Sequence, residues 1–310
     1  VDVTAWLLEG DPSIRWQVLR DLTGTDPGLV AAERARVAET GWGARLLSVQ
    51  DADGKWGGGI YSPKWISTTY TLRLLRYLGI DPSDECAQRG LTKLAERAEW
   101  YDGGVGYFVS VQAETCVTGM TLALASYFGG FDEHREPMAR WLLAQQLEDG
   151  GWNCLTRLGS ARSSFNTTIL VLEGLLEYER TRPAGLIRAI RAARRRGEDY
   201  LLDRHLMRSL STGEIIRPSW SRFSFPPRWH YDVLRGLDYL QDAGVRPDKR
   251  ASEAIELLVS KRTKDGRWKL QNHHSGLEHF RMEQPGQPSR WNTLRALRVV
   301  RWYGVDPVLA

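Results

Sequence analysis

An aspartate-glycine pair followed closely by an aromatic recurs along this chain, and a motif repeated at a fixed interval constrains the architecture before any single element is considered. It reads Asp53-Gly54-Lys55-Trp56, Asp102-Gly103-Gly104-Val105-Gly106-Tyr107, Asp149-Gly150-Gly151-Trp152 and Asp265-Gly266-Arg267-Trp268, with a weaker cousin at Thr212-Gly213. The spacing is roughly 50 residues and stretches in the fourth unit, an interval typical of helical-hairpin repeats.

Each tag ends a stretch of helical periodicity, as at residues 44–50, 138–147 and 251–261, on a glycine turn suited to stopping a helix. A second, more apolar helix is expected after each tag, at residues 66–79, 114–128, 164–179, 229–244 and 290–304. Several open with Ser, Thr or Asn and close at Gly79, Gly129, Gly244 or Gly304, which are sound caps. The run Ser13-Ile14-Arg15-Trp16-Gln17-Val18-Leu19-Arg20 mirrors Arg228-Trp229-His230-Tyr231-Asp232-Val233-Leu234-Arg235 and Ser289-Arg290-Trp291-Asn292-Thr293-Leu294-Arg295, which adds a sixth second helix. More polar helices are expected between these, at residues 29–50, 83–100, 133–147, 184–207 and 248–262, with residues 3–9 completing the sixth pair. Helix-pair repeats ordinarily stack into open superhelices with polar capping ends. Here the first and last second helices share an Arg-Trp signature and neither end is polar. That predicts an all-α (α/α)6 toroid, one domain over residues 1–310, with a central cavity.

Composition narrows the class. Hydrophobic residues make up 42% and charged residues 26%, enough apolar surface for a core and too much for a disordered chain. No run approaches the ~20 apolar residues of a membrane span, and residues 1–11 lack the basic-then-apolar order of a signal peptide. A soluble, cytoplasmic protein without an integral membrane segment is the expectation, although Val1 is not an initiator methionine. Cys86, Cys116 and Cys154 are odd in number, far apart and without a CxxC pair, so reduced thiols are expected. The net charge of +4 comes largely from residues 180–208, including Arg194-Arg195-Arg196, and is read as a solvated helix face with no nucleic acid partner.

Residues 139–152, Ala-Arg-Trp-Leu-Leu-Ala-Gln-Gln-Leu-Glu-Asp-Gly-Gly-Trp, closely resemble the glutamine-tryptophan repeat of triterpene cyclases. A second copy runs from Gly43 through Gln50 to Trp56, and a degraded third ends at Trp268 with Lys261 near the glutamine's place. The glycine-rich loops are also similar to those of protein prenyltransferase β subunits. The chain thus looks like a divergent, single-domain member of the superfamily that includes squalene-hopene cyclase. The resemblance implies that Trp56, Trp152 and Trp268 are structural, and that the N-termini of the second helices point into a cavity for an isoprenoid. The cyclases' Asp-x-Asp-Asp cluster has no match; Asp51-Ala52-Asp53-Gly54 lies in a repeat turn. The prenyltransferases' zinc-binding Asp-x-Cys has a near match in Glu114-Thr115-Cys116, but the next second-helix start holds Ser164-Phe165-Asn166-Thr167 in place of the partner histidine. Zinc would then need Glu114, Cys116 and His230, and no metal or cofactor is expected.

If the second helices converge, their first turns supply the site: Arg15 and Trp16; Ser67, Thr68 and Thr69; Glu114 and Cys116; Ser164, Asn166 and Thr167; Trp229, His230 and Asp232; Arg290, Trp291 and Asn292. Asp232 and Glu114 are its acids, and either could instead serve only to complement a helix dipole. His273, His274 and His279 sit in the loop before the last helix, with Glu283 on the same loop able to reach inward. Arg15, Arg228 and Arg290 each precede a tryptophan and could pair acids of a neighbouring hairpin or hold an anionic group. Trp65, Tyr107, Phe108, Trp220, Phe223, Phe225, Trp229 and Trp291 could offer π faces to a carbocation, or simply fill a core.

The leading expectation is a terpene-cyclase-like enzyme acting on an isoprenoid or similar apolar small molecule by acid-initiated cyclisation or isomerisation. Asp232 would donate the proton, assisted by His230 and Glu114. Substrate contacts would come from Trp229, Trp291, Asn166, Cys116, Arg228, Arg290, Trp65, Tyr107 and Glu283. One alternative is a glycosidase-like hydrolase, with two carboxyl groups ~5–10 Å apart; another is a non-catalytic small-molecule-binding toroid.

Overall fold

The structure is a computed structural model that describes residues 2–107 and 112–305; Phe108 lies outside them. The chain is mainly helical, with two short antiparallel β-ribbons. It divides into two compact units, one of Val1–Val49, Tyr77–Asp81 and Leu202–Ala310, the other of Gln50–Arg76 and Pro82–Leu201.

All six expected second helices form: α2 (Pro12–Asp21), α5 (Thr68–Leu78), α7 (Thr115–Phe128), α9 (Phe165–Arg180), α11 (Val233–Asp242) and α13 (Arg290–Tyr303). The intervening helices are α1 (Val3–Leu8), α3 (Pro27–Glu39), α4 (Gly41–Ser48), α6 (Glu85–Glu96), α8 (Asp132–Ala144), α10 (Ile187–Asp203) and α12 (Ser252–Ser260). Two expectations need correction. The helix expected over residues 29–50 breaks at Gly41, whose φ of 74° is left-handed, and Asp11 reaches across to accept from Trp42 N. The helix expected from residue 229 begins only at Val233, because Arg228 has a φ of 57° and Asp232 is the N-cap.

The tags are one turn built three times. Asp51, Leu147 and Thr263 each donate their backbone N–H to the carbonyl four residues on, at Lys55, Gly151 and Arg267, at 2.8, 3.0 and 2.8 Å. Gly54, Gly150 and Gly266 take the left-handed conformation within those turns, where a side chain would be strained. This register places Arg262, rather than Lys261, where the other copies carry Gln50 and Gln146.

Each glutamine ties its turn to the following helix. Gln146 Nε2 donates to Gly150 O at 2.7 Å and to Ala193 O of α10 at 2.8 Å, while Gln50 Nε2 donates to Gly54 O and to Cys86 O of α6 at 2.9 and 2.8 Å. The turn tryptophans are almost wholly buried, and the indoles of Trp152 and Trp268 donate back to Leu142 O and Leu258 O at 2.7 Å each. Gly90 and Gly197 leave room for the rings of Trp56 and Trp152, since a Cβ there would stand 2.4 and 2.7 Å from ring carbons.

A further bond closes the four aspartate-glycine tags. The buried backbone N–H of the tag residue donates to a threonine hydroxyl in the next second helix: Trp56 to Thr68 at 3.1 Å, and Val105 to Thr118, Trp152 to Thr168 and Trp268 to Thr293 at 3.0 Å. The tag at Asp102-Gly103 is a β-hairpin of β1 (Glu99–Tyr101) and β2 (Gly104–Gly106), yet it keeps this latch.

The second helices are less apolar than their sequences suggest. In one unit Arg73 pairs with Glu173 at 3.6 Å and Arg76 with Glu177; in the other Arg295 pairs with Asp238 at 3.0 Å and Arg298 with Asp21 at 2.7 Å. The basic run is not all surface either, for Arg194 is buried between Glu179 and Glu198. Arg298 also joins the chain's ends, donating to Gln17 Oε1 of α2 at 2.5 Å.

Replacing Thr168 with Val should cost about 1–3 kcal/mol, the penalty of orphaning a buried N–H. Trp152→Ala should cost about 3–5 kcal/mol. Urea unfolding monitored by circular dichroism measures both.

Candidate functional site

Asp232, the acid nominated as proton donor, ends the tight turn before α11. Its Oδ1 accepts from Arg235 N at 2.8 Å, and its Oδ2 accepts from Ser224 N at 3.0 Å and from Ser224 Oγ at 2.7 Å. At 2% exposure and with three hydrogen bonds accepted, this carboxylate has a structural role. The preferred proton donor of the sequence reading is therefore already committed to capping.

Around that cap the chain assembles a stack the sequence did not reveal. Trp229 lies against His230 with ring centroids 3.8 Å apart, and His230 against His274 at 3.9 Å. His274 Nε2 stands 3.2 Å from Ser224 Oγ. Because the serine hydroxyl spends its proton on Asp232, His274 donates from Nε2, giving a relay from His274 through Ser224 to Asp232. Burial, reinforced by the charges of Arg228 and Arg235, pushes the His274 pKa down to about 4, so the imidazole is neutral at pH 7.

On α13, Trp291 stacks on Phe225 at 4.0 Å, and Ser289 caps the helix. Among the described residues neither the indole N–H of Trp291 nor the side-chain oxygen of Asn292 has a hydrogen-bond partner, although both are buried. Glu283 turns to the start of α13, accepting from Ser289 Oγ at 2.5 Å, Arg290 N at 2.6 Å and Trp291 N at 3.3 Å. Burial raises its pKa against those bonds. Like Asp232, it is committed to closing a helix.

The arginines are also engaged. Arg15 pairs with Glu33 at 2.5 Å, and Arg290 donates to Trp6 O at 3.1 Å while lying over the Trp6 ring. Arg228 is buried, and its carbonyl accepts from Arg235 at 3.4 Å. Trp220 packs edge-on against Tyr231 and Phe223 is wholly buried, so both serve the core.

Glu114 belongs to the other unit and differs from both capping acids. It occupies the N-cap position of α7 without making a side-chain cap bond, and its carboxylate accepts no hydrogen bond among the described residues. It is half-buried and close enough to Cys116, Cys154 and Tyr61 to shift their titration. Tyr61, Tyr70 and Trp65 form an aromatic cluster, with Tyr70 centred 5.3 Å from Tyr61 and 4.9 Å from Trp65. Tyr107 is bonded to Thr121 at 3.0 Å, and burial raises its pKa. Asn166 lies half-buried in the first turn of α9.

Cys116 and Cys154, remote in sequence, are neighbours here. Cys154 Sγ accepts from Cys116 N at 3.1 Å and from Thr167 Oγ1 at 3.4 Å. The neighbouring Cys116 thiol lowers the Cys154 pKa against the effect of burial, while the Cys154 sulfur and burial together hold the Cys116 thiol well above its usual value. Cys154 opens onto a cavity of about 560 Å³ lined by Trp100, Gln112, Thr115, Trp141, Gln145 and Thr156 among others. Among the described residues no three His, Cys, Asp or Glu side chains are grouped for a metal ion. Nor is any helix among them long and apolar enough to cross a membrane.

Neither a family model nor a curated protein matches the sequence. Among solved structures, the chain is similar to the ligand-free type II terpene cyclase MstE from Scytonema, at 16% identity and a TM-score of 0.46 over 94% of this chain and 89% of that one. A variant of MstE in complex with geranylgeranyl dihydroxybenzoate matches at 18% identity and 0.45, over 94% and 85%. Another in complex with merosterolic acid A matches at 17% and 0.46, over 97% and 88%. Likeness at this level assigns no chemistry.

His274 has a pH consequence. The unfolded chain takes up its proton near 6.5 and the folded chain near 4, so this contribution to stability is complete above pH 6.5 and declines as the pH falls toward 4. His274→Gln should remove that part of the acid sensitivity, and NMR titration of the wild-type imidazole should find its midpoint near 4.

Proposed function

We propose that this chain is a terpene-cyclase-like enzyme that cyclises or isomerises an apolar, isoprenoid-type small molecule by proton transfer, with Glu114 as the carboxyl group that moves the proton. One observation carries the reading: of the acids nominated from sequence, Asp232 and Glu283 are spent on capping helices, whereas Glu114, at a helix start, makes no cap bond and accepts no hydrogen bond among the described residues. A general acid or base needs a side chain free to face the reacting atom. The rings of Trp65, Tyr61 and Tyr70 are suited to a developing carbocation, whose positive charge a π face stabilises.

In this reading the hairpins close into a single toroid over the whole chain, with the second helices inside. The repeated tags support it, as does the meeting of α2 with α13, where Arg298 bonds both Gln17 and Asp21. In the unit that carries Glu114, Asn166, Cys116 and Tyr107 would contact the ligand. The His274–Ser224–Asp232 relay positions the turn that carries Trp229 and His230. The glycosidase reading loses support because Asp232 and Glu283 both act as caps.

The test is incubation with a panel of linear isoprenoids and analysis of the apolar extract by gas chromatography and mass spectrometry. Wild-type protein should yield an isomeric product, and Glu114→Gln should slow its formation by about 10²–10⁴-fold while leaving the melting temperature unchanged. Unimpaired turnover by Glu114→Gln rejects the assignment of the acid. A complete lack of isomeric product from wild type rejects the reaction class.

A further inference from the structure

Cys116 and Cys154 form an asymmetric pair beside a cavity, and no step of the proton-transfer reading uses them as sulfur nucleophiles. Both thiols are half-buried, but Cys154 lines the 560 Å³ cavity, while Cys116, in the first turn of α7, is absent from that lining. The backbone N–H of Cys116 and the hydroxyl of Thr167 both donate to Cys154 Sγ. Two donors aimed at one sulfur stabilise a thiolate, the nucleophilic form of cysteine. Thr167 and Cys116 stand in the first turns of α9 and α7, whose N-terminal dipoles act in the same sense.

We propose that Cys154 and Cys116 are a redox-active dithiol, with Cys154 attacking a polar, low-molecular-weight disulfide bound in the cavity and Cys116 resolving the product. The lining fits a polar guest, since Gln112, Thr115, Gln145 and Thr156 offer hydrogen bonds between the indoles of Trp100 and Trp141. In the first step the Cys154 thiolate attacks one sulfur of the disulfide; a new S–S bond forms, the old one breaks, and one thiolate leaves. That thiolate takes the Cys116 proton. Cys116 sulfur then attacks Cys154 sulfur, forming the internal disulfide and expelling the second thiolate. The small disulfide is reduced by two electrons and the protein dithiol is oxidised by two, so the exchange balances.

This inference is independent of the proton-transfer reading, because its readout is thiol chemistry and not isoprenoid turnover. The experiment uses the full chain carrying Cys86→Ser, incubated with glutathione disulfide and followed by intact and peptide mass spectrometry. The expected result is loss of two hydrogens and a cross-linked peptide pair holding Cys116 and Cys154. Adding Cys116→Ser should halt the exchange at glutathione on Cys154, formed about tenfold or more faster than Cys154→Ser acquires glutathione on Cys116. Equal rates in the two variants, or a parent protein that never forms the internal bond, would overturn the proposal. Should either variant fail to fold, iodoacetamide labelling of the wild-type chain decides: Cys154 alkylated first supports the pair, and Cys116 alkylated first or at the same rate refutes it.

Discussion

The hydrogen bond from a tag backbone to a threonine hydroxyl is the constraint on which the repeats depend. A turn that buries its tryptophan also buries the backbone N–H of that residue, and a buried donor without a partner is costly. Thr68, Thr118, Thr168 and Thr293 each answer it from inside the following helix. The bond fixes where that helix starts relative to the turn. Glu114, Ser164 and Ser289 each stand four residues before the latching threonine, so the positions open to a ligand follow from a structural need.

Much of the helical framework was legible because the tags use residues whose roles are hard to mistake. Glycine at a left-handed turn, glutamine bridging to the next helix and a tryptophan filling the gap leave a pattern readable without any neighbour in space. The threonine latch was in plain view but silent, since threonine is ordinary in a helix and its acceptor role appears only once the turn is built. The bend at Arg228 was hidden for a similar reason. The apolar pattern of residues 229–244 continues through it, and only the left-handed backbone delays α11 to Val233.

The candidate site was legible as positions and illegible as bonds. Sequence nominated Asp232 and Glu114 because both lie at helix starts, where an acid complements the dipole, and Glu283 because its loop could reach inward. What separates them is whether a nearby donor claims the carboxylate. Ser224 claims Asp232 from eight residues upstream, Ser289 and the α13 backbone claim Glu283, and no donor among the described residues claims Glu114. The cysteines show the converse. Their separation of 38 residues argued against any relation, yet it lets the start of one second helix meet the loop after the next tag.

Ion pairs between second helices add a demand on any ligand. Arg73 with Glu173 and Arg295 with Asp238 are withdrawn from water, and such pairs persist where each charge keeps its partner. Any ligand of either unit that left these pairs intact would avoid the cost of breaking them. Native mass spectrometry of the full chain, purified from its own host and then offered linear isoprenoids, tests this account most directly. The account predicts a retained isoprenoid mass on the folded chain, whether carried through purification or acquired on addition. A chain that keeps its bare mass under both conditions would contradict it.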